Sequence, residues 1–127
     1  MTPAERETLN QSLARLSDAL FDYDEANIRP DALTALSTDA NVVKGILSNY
    51  PNQKLVVEGA ADERGSAEYN LALGDRRAHA AEKLLVDMGI PDKQLTVVSY
   101  GKERPVCDDH NETCWQKNRR AHITAAP

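Results

Sequence analysis

The feature that most constrains the fold is a strand-forming run that passes through a charged, glycine-bounded loop into a helix. Residues 54–59 are dense in apolar and β-branched side chains, which favour a strand. Ser66 is suited to cap the helix that follows the loop, and Gly89, with a proline two residues later, is suited to end it. This order lets the loop residue Asp62 and the helix residue Arg77 converge on one small ligand.

The remaining elements alternate between strands and helices. We expect a peripheral helix over residues 3–16, strands over residues 19–24, 94–99 and 120–125, and a charged loop over residues 101–117. A second long helix is predicted after Pro30, where apolar side chains step by three and four: Leu33, Leu36, Ala40, Val43, Leu47 and Tyr50. The pattern predicts an α/β two-layer sandwich, with one mixed β-sheet and helices on one face.

Length and charge exclude several classes of protein. A chain of 127 residues fits one domain with a single core. The net charge of −5 argues against a nucleic-acid-binding protein, which needs a basic face to neutralise phosphates. No apolar run approaches the roughly 20 residues that span a bilayer, and the first residues do not resemble a signal peptide.

The predicted helix after Ser66 carries Asn70, Leu73 and Arg77 on one face, because residues three, four and seven apart are neighbours on a helix. A guanidinium offers a fork for a carboxylate, and the carboxylate of Asp62 accepts hydrogen bonds from an ammonium group. Together Asp62 and Arg77 suit an amino-acid head group that bears both charges. The alternative is a solvated surface network of the neighbouring acidic and basic side chains.

Five ordered blocks of this sequence resemble the OmpA-like peptidoglycan-binding domain, in particular its peptidoglycan-associated lipoprotein branch. They lie at residues 21–24, 59–65, 70–78, 99–105 and 118–121, and the resemblance covers about residues 18 to 125. It implies a βαβαβ fold like the C-terminal domain of OmpA. We therefore expect an N-terminal extension at residues 1–17 and the domain proper at residues 18–127.

The resemblance also implies a ligand and its binding residues. In this family, the residues that match Asp62 and Arg77 bind the meso-diaminopimelate of the peptidoglycan stem peptide. Phe21, Asp22, Asp24, Asn70 and Leu73 are then expected to form the pocket wall. Asn118 and Arg120 match the last block, where a structural role is as well supported as a binding one.

The cellular context is likewise implied by the resemblance. It predicts a non-catalytic protein without cofactor or metal, at the periplasmic face of the outer membrane. The leader and a lipid-bearing cysteine that anchors the protein to that membrane would then lie outside this sequence. The resemblance predicts peptidoglycan and a TolB-like periplasmic protein as partners, within the Tol-Pal system.

The sequence departs from the family at Ala60, where the family usually has histidine. An alternative function is therefore a protein-interaction module of the cell envelope with weakened wall binding. A peptidoglycan hydrolase that uses Asp62 and Glu63 as acid and base is a third hypothesis. Adjacent loop residues usually point in different directions, and no nucleophile–base pair accompanies them.

Cys107 and Cys114 are the only two cysteines. In the exported context that the resemblance implies, a structural disulfide between them is the leading interpretation. Two free thiols are the simplest alternative. A zinc site formed by Cys107, His110 and Cys114 is a further possibility, but the sequence offers no fourth ligand at a convincing spacing.

Overall fold

The computed structural model describes all residues from 1 to 127, in four helices and four strands separated by short connections. The elements in chain order are α1 (Pro3–Ala14), β1 (Ala19–Leu20), α2 (Pro30–Asn49), β2 (Leu55–Ala60), α3 (Ala67–Asp87), β3 (Leu95–Gly101), α4 (Glu112–Asn118) and β4 (Arg120–Ala125). A single 3₁₀ turn, Asp92–Gln94, leads into β3. None of the helices combines the length and the apolar composition needed to cross a bilayer.

The four strands form one mixed sheet in the order β1-β4-β2-β3. Strands β2 and β3 are parallel, and the α3 crossover that joins them supplies the length that a parallel connection requires. Strand β4 lies between β2 and β1 and is antiparallel to both. Helix α3 packs on β2 and β3, and α2 packs on β1 and α3. The predicted α/β architecture, one mixed sheet with helices packed on it, is confirmed.

The two long helices begin and end largely where the sequence predicts. The Ser66 hydroxyl accepts a hydrogen bond from the backbone N–H of Tyr69, which caps α3. Gly89 follows the end of α3 with a φ of 104°, a left-handed conformation that favours glycine. At α2, the predicted apolar stripe is right from Leu36 onwards but wrong at Leu33, which is 44% exposed. Ala32 is buried in its place.

Helix α1 contributes to the main core. Its residues Leu9 and Leu13 are 1% and 4% exposed and belong to the same hydrophobic cluster as Leu36 and Leu55. The helix packs against β4 and α2. Its start is fixed by Thr2 and Glu5, each of which bonds the backbone N–H of the other. The expectation of a merely peripheral helix therefore underestimates its packing.

Two expectations about the connections are wrong. The strand expected over residues 19–24 is only Ala19–Leu20, because the chain turns away from β4 after Phe21 towards a left-handed residue, Asp24, with a φ of 58°. The segment expected to be a loop over residues 101–117 contains α4, which Asn111 caps by accepting from the N–H of Cys114. A seven-residue helix is too short to leave a clear hydrophobic period in the sequence.

A close contact between Gly59 and Gly74 sets the distance between the end of β2 and α3. A Cβ atom added at Gly59 would lie 1.8 Å from the carbonyl oxygen of Gly74. Only the absence of a side chain permits this approach. Because Asp62 follows β2 and Arg77 lies one turn after Gly74, the contact brings both residues to the same end of the sheet.

Candidate functional site

A small pocket of about 50 Å³ opens where three segments meet: the connection after β1, the loop between β2 and α3, and the first half of α3. Five of the seven predicted binding residues line it: Asp24, Asp62, Asn70, Leu73 and Arg77. Five residues that the prediction omitted complete the lining: Tyr23, Ala61, Arg64, Gly65 and Tyr69. The lining therefore combines apolar side chains with charged groups of both signs, Asp24 and Asp62 with Arg64 and Arg77.

Asp62 is almost fully buried, with 3% of its surface exposed, and all its partners are cationic or backbone donors. Its Oδ1 accepts from the backbone N–H of Arg64 at 3.0 Å and from Arg64 Nε at 3.3 Å. Its Oδ2 accepts from Arg64 Nη2 at 2.8 Å and from Arg119 Nη1 at 3.3 Å. Burial alone would raise the pKa of this carboxyl, but the hydrogen bonds and charge of Arg64, with Arg119, lower it below the usual value. Asp62 is therefore ionised at neutral pH.

Arg77 is fully buried and bonds only to backbone carbonyls. Its Nε donates to Glu25 O at 2.8 Å, its Nη1 to Ala60 O at 3.0 Å and its Nη2 to Asp22 O at 3.1 Å. Its guanidinium carbon lies 5.4 Å from the centre of the Phe21 ring. These three bonds use three of the five N–H donors of a guanidinium, so two remain.

No carboxylate lies within ion-pair distance of Arg77: Asp62 pairs with Arg64 and Arg119 instead, and the charges of Asp62 and Asp24 act on Arg77 only from farther away. Burial, reinforced by the nearby charge of Arg119, lowers the pKa of Arg77 to about 10. The group still carries its charge at neutral pH. A buried cation with spare donors and no ion-pair partner favours the binding of an anionic group.

The residues on α3 fix the loop that carries Asp62. Asn70 is 3% exposed, and its Nδ2 donates to the backbone carbonyl of Arg64 at 2.7 Å. Leu73, at 4% exposure, forms the apolar part of the wall. On the other side of the opening, Asp24 accepts a hydrogen bond from the Tyr69 hydroxyl. The helical face predicted from Asn70, Leu73 and Arg77 is thus observed.

Phe21 and Asp22 support the pocket from behind and do not line it. Phe21 is fully buried, and its carbonyl accepts from Arg119 Nε and from Gln116. The carboxylate of Asp22 faces away, pairing with Arg29 at 3.0 Å, while its backbone carbonyl accepts from Arg77.

Arg64 is the most prominent site residue that sequence reasoning missed. Its guanidinium carbon lies 4.1 Å from the ring centre of Tyr23 and 4.1 Å from that of Trp115, so it contacts two aromatic rings while it pairs with Asp62. Trp115 is 51 positions away in sequence, and no local pattern reveals such a contact. The only signal was the proximity of Arg64 to Asp62 in one charged loop.

Cys107 and Cys114 are joined by a disulfide bond, with their Cα atoms 5.1 Å apart. Because both sulfur atoms take part in the bond, neither is available as a zinc ligand. His110 instead pairs with Glu63, with Nδ1 2.6 Å from Oε1. The hydrogen bond to Glu63 raises the pKa of this histidine.

Asn118 and Arg120 hold loops together. Asn118 Oδ1 accepts from the backbone N–H groups of Val106 and Cys107, and its Nδ2 donates to Cys107 O. Arg120 Nη2 donates to the carbonyl of Arg104 at 3.0 Å. These contacts support the structural interpretation of the last sequence block. Ala60 is 2% exposed and contributes to the site through its backbone carbonyl, which accepts a hydrogen bond from Arg77.

Comparison with known proteins places this arrangement in a family. The sequence profile of the OmpA family matches residues 20–119, which include every element that builds the pocket. The chain belongs to the OmpA family. As an OmpA-family domain, it shares its fold with the C-terminal domain of Helicobacter pylori MotB, with a TM-score of 0.77 at 20% identity over 87% of this chain and 84% of that one.

Several more similar proteins carry one name. The peptidoglycan-associated lipoprotein of Burkholderia pseudomallei has a crystal structure that matches with a TM-score of 0.78 at 35% identity, over 96% of this chain and 99% of that one. The peptidoglycan-associated lipoprotein of Pseudomonas aeruginosa is 44% identical over 88% of this chain and 64% of its own length. That of Mesorhizobium japonicum is 52% identical over 82% of this chain and 60% of its own length. The chain thus spans about 60% of the length of these two relatives.

Proposed function

We propose that this domain binds peptidoglycan without catalysis, by holding the meso-diaminopimelate of the stem peptide between Asp62 and Arg77. The observation that carries the proposal is Arg77, a fully buried cation without an ion-pair partner at the wall of a pocket that carries charges of both signs. The names of the relatives at 44% and 52% identity support the same class of ligand.

The two charges of the pocket suit the two charges of an amino-acid head group. The spare N–H donors of Arg77 would receive the ligand carboxylate, and its binding would offset the burial of the guanidinium charge. The ligand ammonium would approach Asp62 Oδ1, where the side-chain contact from Arg64 Nε is the longer of two, at 3.3 Å. The ammonium can take over that position while Arg64 Nη2 keeps its bond to Oδ2.

The proposed role is attachment. The domain would hold the outer membrane to the cell wall from the periplasmic side, through a lipid anchor outside this sequence, and would meet a TolB-like protein within the Tol-Pal system. A hydrolytic role is disfavoured by the geometry: the contacts of Asp62 with two arginines lower its pKa, and Glu63 pairs with His110. A general acid needs a raised pKa and access to the scissile bond.

The test is co-sedimentation with purified peptidoglycan sacculi. We expect Asp62→Asn to stay folded and to lose at least about tenfold in affinity, because charge-assisted hydrogen bonds of about 1.5–3 kcal/mol are removed. Asp87→Asn is the matched control, since Asp87 is exposed at the far end of α3. Equal sedimentation of parent and Asp62→Asn would contradict the proposal.

The same experiment separates the alternatives. Muropeptides released into the supernatant would support the hydrolase. Failure of the parent to sediment, with binding to a TolB-like protein retained, would favour the interaction module with weakened wall binding at Ala60. Competition by a stem peptide that contains diaminopimelate, but not by its lysine counterpart, would support the second zwitterionic centre as the group recognised.

A further inference from the structure

Residues 107–119, which we call the bridged segment, touch each of three consecutive site-loop residues with a different side chain. Arg119 Nη1 lies 3.3 Å from Asp62 Oδ2, His110 Nδ1 lies 2.6 Å from Glu63 Oε1, and the Trp115 ring centre lies 4.1 Å from Arg64 Cζ. The two segments are far apart in sequence. The bridged segment therefore forms an outer support for the loop that carries the proposed ligand-binding carboxylate.

The disulfide bond closes this segment around α4. Cys114 lies in α4, directly before Trp115, and Cys107 lies before the helix. A helix of seven residues is not stable on its own, so its position depends on its attachments. The covalent attachments are the bond to Cys107, the chain that enters at Asn111 and the chain that continues into β4. Asn118 adds three hydrogen bonds to the backbone of Val106 and Cys107.

Trp115 is positioned without a hydrogen bond of its own. Its indole N–H is buried and has no acceptor. The placement of its ring therefore depends on the helix that carries it and on the contact with Arg64. Arg64 in turn bonds both oxygens of Asp62. A path of direct contacts thus runs from the disulfide through Trp115 and Arg64 to Asp62.

We propose that the Cys107–Cys114 disulfide and Trp115 are positioning elements of the ligand pocket, which hold Arg64 and Asp62 in the binding geometry. This inference rests on the proposed function for its ligand. Opening the bond lets α4 shift, takes the Trp115 ring away from the Arg64 guanidinium and loosens the Asp62 carboxylate. Binding then includes the ordering of the site loop, which lowers affinity.

The proposal makes the affinity for the wall dependent on redox state. A dithiol reductant such as dithiothreitol transfers two electrons and two protons to the Cys107–Cys114 bond, giving two thiols, and becomes a cyclic disulfide. Cys107 is partly exposed, so its sulfur is the one open to thiolate attack, whereas Cys114 is 2% exposed. Reoxidation restores the bond and the binding geometry.

The experiment measures binding of a soluble muropeptide, whose stem peptide ends in meso-diaminopimelate, by calorimetry. We expect Cys107→Ala/Cys114→Ala to lose roughly five-fold in affinity through lost preorganisation, and Trp115→Leu to lose a similar factor with the disulfide intact. The variant that combines the three substitutions should bind the muropeptide only slightly more weakly than either of these variants, because all three act through the same contacts. Leu47→Ala, in the core face of α2, controls for general loss of stability.

A second measurement needs no ligand. The Nε–H signal of Arg64 in nuclear magnetic resonance spectra should shift and exchange faster in Cys107→Ala/Cys114→Ala and in the reduced parent. An unchanged Arg64 signal overturns the positioning role, even if the parent fails to bind muropeptide and the proposed function fails with it. Unchanged affinity in the double variant, or an equal loss in Leu47→Ala, also overturns it.

Discussion

Asp62 and Arg77 line the same pocket without forming an ion pair with each other. Asp62 is held by two other arginines, and Arg77 is held by backbone carbonyls. Each charged group is therefore held by its own partners, and the two side chains do not close the pocket by contacting each other. For the proposed ligand with both charges, this means that neither group needs to break a bond with the other first.

Arg77→Lys should keep the positive charge but lose the branched N–H donors of the guanidinium. A single ammonium cannot reach the carbonyls of Asp22, Glu25 and Ala60 together, so at least one buried acceptor loses its partner, at about 1–3 kcal/mol of unfolding free energy. Peptidoglycan affinity should fall at least about tenfold. Urea unfolding and sacculus co-sedimentation measure the two effects.

The matched control for that experiment is Arg76→Lys, because Arg76 is exposed on the same helix. This variant should resemble the parent in both measurements. If Arg77→Lys is as stable and binds as well as Arg76→Lys, the buried guanidinium has neither the structural nor the binding role assigned to it.

Two glycine substitutions should have opposite effects on stability. Gly59→Ala places a methyl group 1.8 Å from the Gly74 carbonyl oxygen, so the domain should lose at least about 3 kcal/mol or fail to fold. Gly45→Ala meets nothing within 4 Å on the exposed side of α2 and should gain about 0.5–1 kcal/mol. Thermal unfolding followed by circular dichroism compares them. A Gly59→Ala domain as stable as the parent would show that β2 and α3 can move apart freely.

The contribution of one buried carboxyl on α2 to stability should decline as the pH rises above about 4. Asp39 is 3% exposed, and burial, with a smaller effect from the charge of Asp18, raises its pKa to about 6. The folded state therefore binds this proton more tightly than the unfolded state does, so the stabilising contribution is lost between about pH 4 and pH 6. His122, whose pKa is raised by Asp18, loses its contribution as the pH rises through its folded value, which lies above 6.5.

Asp39→Asn isolates the first of these effects. The amide oxygen can still accept the hydrogen bond from Ser17 N–H, now 3.1 Å from Asp39 Oδ1, without the cost of a buried charge. The variant should match the parent near pH 4 and exceed its unfolding free energy by on the order of 1–2 kcal/mol near pH 7.5. Urea titrations at both pH values measure the difference. A constant difference between the two proteins across this range would show that Asp39 does not titrate as stated.

Long periodic elements and their caps could be predicted from the sequence, and long-range contacts could not. The face of α3 that carries Asn70 and Arg77 follows from residue spacing alone, and Ser66 signals its start. Leu33 misled the prediction, because at the first turn of α2 both Ala32 and Leu33 fit the apolar period and only the sheet decides which is buried.

At the site, the contacts of Asp62 could likewise be predicted only in part from the sequence. The sequence places Asp62 beside Arg64 and at the same sheet end as Arg77. It does not predict that Arg119, 57 positions away, completes the coordination of the carboxylate, or that Trp115 covers Arg64. Both depend on α4, a helix whose seven residues leave no periodic signal.

The three carbonyls that hold Arg77 belong to two separate parts of the chain: Asp22 and Glu25 lie in the connection after β1, and Ala60 ends β2. Arg77 therefore connects its own helix to two other segments of the chain. A pull on a carboxylate bound there is distributed over the covalent backbone of two segments and the helix that bears the arginine. Strand β2, paired on both sides in the sheet, resists displacement along its length. If the pocket binds peptidoglycan, we expect a pulling force to release the ligand before any part of the domain unfolds.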